Sequence, residues 1–229
     1  MYRLDSLLSL YNYASRKEAK LLVKQKRLKV NGFIVSDAAI KISNSDNVEY
    51  DDHIIMLQTP IYIMMNKQVN RICEKGVINS VYANLDYHLP NNLFSVGRLD
   101  KDTTGLLLLT NDGKWAHSIV NKHNHSPKTY IVGLNRDIDT DLNKLLLPIN
   151  LGDDGIVVAK KYEIINSRTI SLTILNGKYH QVKRMMAILG YQVVSLHRVS
   201  IGNLMLDNNL MYGQYRFLRE DELNYVFEE

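Results

Sequence analysis

Only one cysteine, Cys73, stands in the 229 residues. It can close no internal disulfide and build no thiolate metal cage, which points to a reducing compartment. Long apolar runs are missing too: the densest, Leu106 to Leu109, is followed at once by polar residues, far short of the ~20 needed to cross a bilayer. The N-terminus sets Arg3 and Asp5 around a short apolar pattern, without the continuous apolar core and small-residue cleavage site of a signal peptide, so a cytoplasmic protein is expected. Neither a P-loop nor a GxGxxG is present, which argues against nucleotide binding. There is no HExxH, and His117, His123 and His125 have no cysteine partner, so neither a metal nor another cofactor is expected. Repeats and low-complexity tracts are also absent.

What is there begins with charge. At 45% hydrophobic and 23% charged, the chain can bury a core and fits either one larger domain or a small domain joined to a medium one. Its net charge of +4 is unevenly spread. Residues 1–30 hold eight basic residues (Arg3, Arg16, Lys17, Lys20, Lys24, Lys26, Arg27, Lys29) against Asp5 and Glu18, while the other 199 residues carry 20 basic and 22 acidic ones. All the excess positive charge sits at one end. Such a field attracts a phosphate backbone in a salt-dependent way; its bland alternative is a solvated helix face.

Within that end, Ser15 and Glu18 have capping-box spacing, and Ala19, Leu22 and Val23 recur on one helical face while Lys17, Lys20 and Lys24 point elsewhere. A basic helix is predicted, followed by a hairpin over Leu28 to Val35 turning at Asn31-Gly32. Beyond residue 60, strands are predicted at 61–65, 105–110, 128–134, 155–165, 169–175 and 192–199. Helical patterns interrupt them near 114–120, 140–147 and 179–189, the last stopped by Gly190. Without a regular beta-alpha-beta alternation, the expected class is α+β with a mostly antiparallel sheet. The acidic end, Glu220 to Glu229, reads as a solvated helix or tail.

Two segments concentrate the chemistry. VGRLDKDTTGLLLLTNDG (Val96 to Gly113) reads as a loop feeding a buried strand and isolates a carboxylate, Asp100. NGKYHQVKRMM (Asn176 to Met186) leaves a strand at a turn and enters a helix carrying Lys183 and Arg184. A lone Asp in a loop is more often a turn residue, and a basic residue on a helix is more often a solvated one. Together with KTY (Lys128 to Tyr130) and LHRVSIGNLML (Leu196 to Leu206), however, these segments resemble, in order and spacing, the RsuA-type pseudouridine synthases, which isomerise uridine in ribosomal RNA. The resemblance covers nearly the whole chain. RLDSLL and SRKEAKLLVKQKRLKVNG resemble the S4 RNA-binding domain, two short helices packed on a small sheet. The implied architecture is an S4-like domain at 1–57, a linker at 58–60, and a pseudouridine synthase domain with a mixed, mostly antiparallel sheet at 61–229.

The resemblance implies roles residue by residue. Asp100 is the expected catalytic carboxylate, Lys183 its cationic partner, and Tyr130 the ring against the target base. Arg184 lies about 100° further round the helix, so it is expected to face RNA phosphate or a structural acid. Arg98 is expected on phosphate or at the opening of the RNA, and Thr103, Thr104 and Gly105 are expected to shape the loop. Arg3, Arg16, Lys17, Lys20, Lys24, Arg27, Asn31, Arg98 and Arg184 are the candidate RNA-binding residues. Two departures stand out: Lys67-Gln68 replaces the usual Lys-Pro, with Asn70 where glycine is usual, and Asn176 replaces a glutamate. YHQVKRM and the late LHRVSIGNLML point to one uridine of small-subunit (16S) rRNA; the alternatives are large-subunit (23S) rRNA and a non-catalytic RNA-binding assembly factor. Asp100 with Asp102 could also suggest glycoside hydrolysis, but two loop residues one apart do not define the carboxylate separation it needs. No membrane partner is expected, and the chain is expected to act as a monomer.

Overall fold

The computed structural model describes residues 1–121 and 126–227, in two compact units. The first comprises Met1–Ile61 together with Leu85–Phe94. The second segment, which the sequence reading left with the larger domain, joins this unit through specific contacts. Asn12 Nδ2 donates to the Tyr87 carbonyl (2.8 Å), Asn91 N donates to the Leu10 carbonyl (3.0 Å), and Tyr13 stacks on His88 with ring centroids 4.0 Å apart.

Helix α1 (Leu4–Leu10) and helix α2 (Arg16–Lys24) open the unit. Ser15 starts α2 because its Oγ accepts from Glu18 N (3.2 Å) while the Glu18 carboxylate accepts from Ser15 N (2.7 Å), the reciprocal capping box. Strands β1 (Leu28–Val30), β2 (Phe33–Ile34), β3 (Val48–Tyr50) and β4 (His53–Ile55) form an antiparallel sheet in the order β2-β1-β3-β4. The β1–β2 turn uses Asn31 at φ 51° and Gly32 at φ 82°, the two positive values a tight hairpin demands. Leu4, Leu8, Tyr11, Ala19, Leu22, Leu28 and Val48 close the core. α2 therefore buries Ala19 and Leu22 and leaves Lys17, Lys20 and Lys24 in solvent.

The second unit takes in 62–84 and 95–229. Seven strands of its nine-stranded sheet follow the path β8-β9-β7-β10-β6-β5-β11, where β5 is Tyr62–Lys67, β6 Thr104–Thr110, β7 Lys128–Leu134, β8 Ala159–Asn166, β9 Thr169–Ile174, β10 Val193–Ile201 and β11 Tyr215–Phe217. Along that path only β10 and β6 run parallel, so the sheet is mixed and mostly antiparallel. β6 is central. Leu106 to Leu109 are fully buried, as a strand covered on both faces must be. Leu106 and Leu108 pack with Ala116 and Ile119 of helix α3 (Gly113–Val120) and with Met64 and Ile201. Asp112 caps α3, its carboxylate accepting from Lys114 N (2.9 Å) and Trp115 N (3.1 Å). Helix α4 (Gln181–Ile188) precedes β10.

Several elements depart from the sequence reading. The helical pattern near 140–147 yields only a short 3-10 turn, Leu142–Leu146. The strand expected at 155–165 is interrupted, with Ile156–Val157 pairing elsewhere before β8 begins. The acidic end is not simply solvated, because Glu222 is buried and ion-paired with Arg216 (2.7 Å). No helix among the described residues is long and apolar enough to cross a membrane.

Candidate active site

Asp100 belongs to the loop that enters β6, and the loop is tied down from beneath. Lys67 ends β5 opposite Gly105. Its side chain is fully buried, and its Nζ donates to the carbonyls of Asp100 (2.9 Å), Thr103 (2.7 Å), Gln68 (3.2 Å) and Lys101 (3.3 Å). Burial lowers the Lys67 pKa to about 8, against the pull of nearby acidic groups. Asn70 N donates to the Lys101 carbonyl (2.8 Å). Asn70 stands at φ 63°, in the left-handed region that glycine adopts freely and Asn tolerates best among the others. The departure from glycine therefore preserves the backbone that this turn uses. At the far end of the loop Gly105 is at φ 99°, and a Cβ there would lie 2.3 Å from the Arg198 carbonyl oxygen on parallel β10.

The distant helix α4 brings the cation. Lys183 Nζ stands 3.3 Å from Asp100 Oδ2, yet lies closer to Asp102 Oδ1, at 2.6 Å. Lys183 is therefore shared between two acids rather than dedicated to one. Burial opposes its charge, but the hydrogen bond to Asp102 and the two carboxylates outweigh burial and raise its pKa. The same hydrogen bond holds Asp102 below the usual carboxylate range, against partial desolvation. His180 approaches from the start of α4, with Nε2 3.6 Å from Asp100 Oδ2. Its backbone is left-handed (φ 48°, ψ 32°) and its ring stacks on Tyr179 with centroids 3.9 Å apart and planes 18° from parallel.

Asp100, Thr103 and Tyr130 line one small pocket, whose walls also include Leu196, Gln181 and Val182. Tyr130 sits on β7 between Leu172 of β9 and Arg198 of β10, and is buried. The Thr103 hydroxyl is buried with no hydrogen-bond partner among the described residues. Asp100, with Arg98, Leu99, Gly177, Lys178 and His180, also borders a second cavity of about 530 Å³, whose remaining walls include Ile72, Cys73, Lys101 and Tyr179. Asp100 thus pairs with Lys183 and shares a pocket with Tyr130, while Lys67, Asp102 and His180, to which the sequence reading gave no role at this site, lie in or against the same loop. Lys67 had a faint signal, a lysine closing the apolar run of β5.

The candidate RNA-binding residues divide. Arg184 is turned to a structural acid: it pairs with Asp154 and donates to the Leu151 and Tyr179 carbonyls, so of its two expected roles the structural one is met here. Arg3 grips buried Asp5 (2.7 Å), Arg27 pairs with Asp51 and lies over the Tyr50 ring, and Asn31 is spent on its turn through Asp46 and Asn47 N. Arg16 donates to Ser6 Oγ (2.8 Å). Arg98 is largely exposed and pairs with Glu74 (2.8 Å). Lys17, Lys20 and Lys24 are exposed and carry no ion pair among the described residues. His123 and His125 lie outside the described residues.

Known proteins share this chain along its whole length. The profile of the RNA pseudouridylate synthase family matches residues 61–188, and that of the S4 domain matches residues 3–48. Ribosomal small subunit pseudouridine synthase A of Haemophilus influenzae is 37% identical over 226 residues, 96% of this chain and 97% of its own length. The protein of the same name from Vibrio cholerae is 38% identical over 99% of this chain and all of its own length. A solved pseudouridylate synthase crystal structure superposes with a TM-score of 0.69 at 36% identity, covering 99% of this chain and 100% of that one.

Proposed function

This chain is a member of the RNA pseudouridylate synthase family, and from that premise we propose that it converts one uridine of small-subunit (16S) ribosomal RNA to pseudouridine, with Asp100 as its catalytic carboxylate. The observation that carries the reading is the convergence on Asp100 of a cation from α4 and an aromatic ring from β7. The reaction detaches uracil from ribose at nitrogen 1, turns it, and rejoins it through carbon 5, after which a proton leaves carbon 5. It calls for no redox change and no group donor, so no cofactor is invoked.

Asp100 acts on the target nucleotide as nucleophile or base. Lys183 supplies positive charge beside it, and the Lys67 ammonium holds the loop carbonyls that aim it. Tyr130 offers a flat surface on which a detached uracil is retained without its rotation being fixed. The target must leave its stack to reach this pocket, as in other enzymes that act on a base. The exposed lysines of α2 bind phosphate, so Lys17, Lys20 and Lys24, with Arg16, form the RNA grip of the first unit. Arg98 extends that role at the mouth of the pocket. The enzyme acts as a cytoplasmic monomer; sedimentation of enzyme mixed with rRNA fragments as a one-to-one complex is the expected result.

Tritium release from RNA labelled at carbon 5 of uracil tests the activity: wild type releases it and Asp100→Asn does not. If neither does on unmodified small-subunit RNA, an RNA-binding assembly factor replaces the enzyme. Carbodiimide treatment and reverse transcription of rRNA from cells with and without the gene locate the uridine. A stop that disappears only in large-subunit RNA overturns the choice of substrate.

A further inference from the structure

The cavity beyond the Tyr130 pocket has a recognisable chemistry of its own. Its rim carries Tyr179, 70% exposed, stacked face to face on His180. Arg98, Lys101 and Lys178 surround it with positive charge, and Ile72, Cys73 and Leu99 give it an apolar side. Its volume of about 530 Å³ lies within the ~300–1,000 Å³ typical of small-ligand sites. An exposed aromatic face is ordinarily unfavourable in water, and this one is backed on its other side by the His180 ring. His180 is kept in the left-handed region, which costs a non-glycine residue about 1–2 kcal/mol, and its ring lies flat beneath the phenol.

We propose that Tyr179 is the stacking platform for the nucleotide adjacent to the target uridine, and that the cavity it overhangs is that nucleotide's subsite. This rests on the functional reading above and extends it from the reacting nucleotide to its neighbour. A base has two faces: one would lie on the exposed phenol while its phosphate meets Arg98, Lys101 or Lys178, the combination by which proteins hold single-stranded nucleic acid. The two sites share Asp100 as part of their common wall. One nucleotide step along the RNA therefore carries the chain from the Tyr130 pocket into this cavity. His180 acts as a positioning residue, because it supports the platform on one side and stands 3.6 Å from the Asp100 carboxylate on the other. Stacking tolerates any base, so the subsite fixes the geometry of an extruded uridine more than the identity of its neighbour.

The test uses the full chain and an RNA fragment containing the mapped uridine, with 2-aminopurine replacing the nucleotide on either its 5′ or its 3′ side. Bound to Asp100→Asn enzyme, which holds substrate without converting it, one of the two probes should be quenched. Adding Tyr179→Ala should abolish that quenching and weaken binding between about fivefold and a hundredfold, and Tyr179→Phe should restore both. No quenching at either position, or quenching and affinity unchanged by Tyr179→Ala, overturns the subsite. Tritium release by wild type on the same fragment is measured alongside. Its absence sinks the enzyme reading and this proposal with it, whereas release without Tyr179-dependent quenching sinks the proposal alone.

Discussion

Lys183 touches two carboxylates, so removing the cation and removing its nearer partner should have unequal consequences. Lys183→Met leaves Asp100 and Asp102 facing each other with oxygens within ~6 Å and nothing between them, close enough for like charges to interact strongly. A unit pair at ~6 Å is worth about 3 kcal/mol at an effective dielectric of ~20. For Asp102, 65% exposed, solvent reduces its share to about 1 kcal/mol or less. Asp100, only 31% exposed, keeps more of it. Loss of one well-placed charge at a reacting centre lowers turnover by about 10²- to 10³-fold, and this is the drop expected in kcat for tritium release by Lys183→Met. Asp102→Asn, which frees Lys183 for Asp100, should cost less than about tenfold. The double variant should be more active than Lys183→Met alone, since it removes the unpaired acid beside Asp100, a coupling that a double-mutant cycle reads directly. Equal losses in the two single variants, or Lys183→Met within about threefold of wild type, would refute the reasoning, provided thermal melts show all variants folded.

Other expectations follow from individual side chains. Gly105→Ala sets a Cβ against the Arg198 carbonyl at an unfavourable φ and should destabilise the fold by about 3 kcal/mol, a drop in Tm of roughly 6–12 °C; an unchanged melt contradicts the close approach of β6 and β10. Replacing Lys17, Lys20 and Lys24 together by Ala should flatten the dependence of RNA affinity on log salt by about 0.7 for each phosphate no longer neutralised. An unchanged slope would remove α2 from the RNA-binding surface. Lys67, at about 8 in the native state against 10.5 without burial, gives up its proton first on folding. Between those values the unfolded chain binds more protons, so the Lys67 contribution to stability rises with pH. Over the same window its amine loses one of the three N–H donors that serve four carbonyls, and kcat should fall. The urea midpoint of wild type should therefore gain on that of Lys67→Met from pH 7.5 to 9.5; parallel curves would show that Lys67 does not titrate there.

Much of this molecule was legible where chemistry is local. The capping box at Ser15 and Glu18, the Asn31-Gly32 turn and the continuous apolar run of β6 each follow from neighbouring residues, and each formed within a residue or two of its expected place. The stretch near 140–147 misled because its apolar spacing buries Leu142 and Leu145 equally well in a 3-10 turn, which periodicity alone does not separate from an α-helix. Deleting residues 1–57 would not remove the RNA-binding end cleanly, because Leu89 and Leu93 are buried and their segment packs with the first unit. Such a deletion would uncover them, which is why charge removal on α2 is the sounder experiment. The site itself was half visible. Motif order pointed to Asp100, Tyr130 and Lys183, but which acid lies nearer to Lys183 depends on how a loop and a helix separated by some 80 positions meet. Lys67 illustrates the same limit more sharply. A lysine at the end of a strand reads as a solvated terminus, and only the return of residues 100–103 above it turns that ammonium into the clamp of the catalytic loop. The carboxylate is thus aimed by a buried cation below and faced by a partly exposed one beside it. A sequence motif records both as lysine, and the difference between them is made entirely by burial.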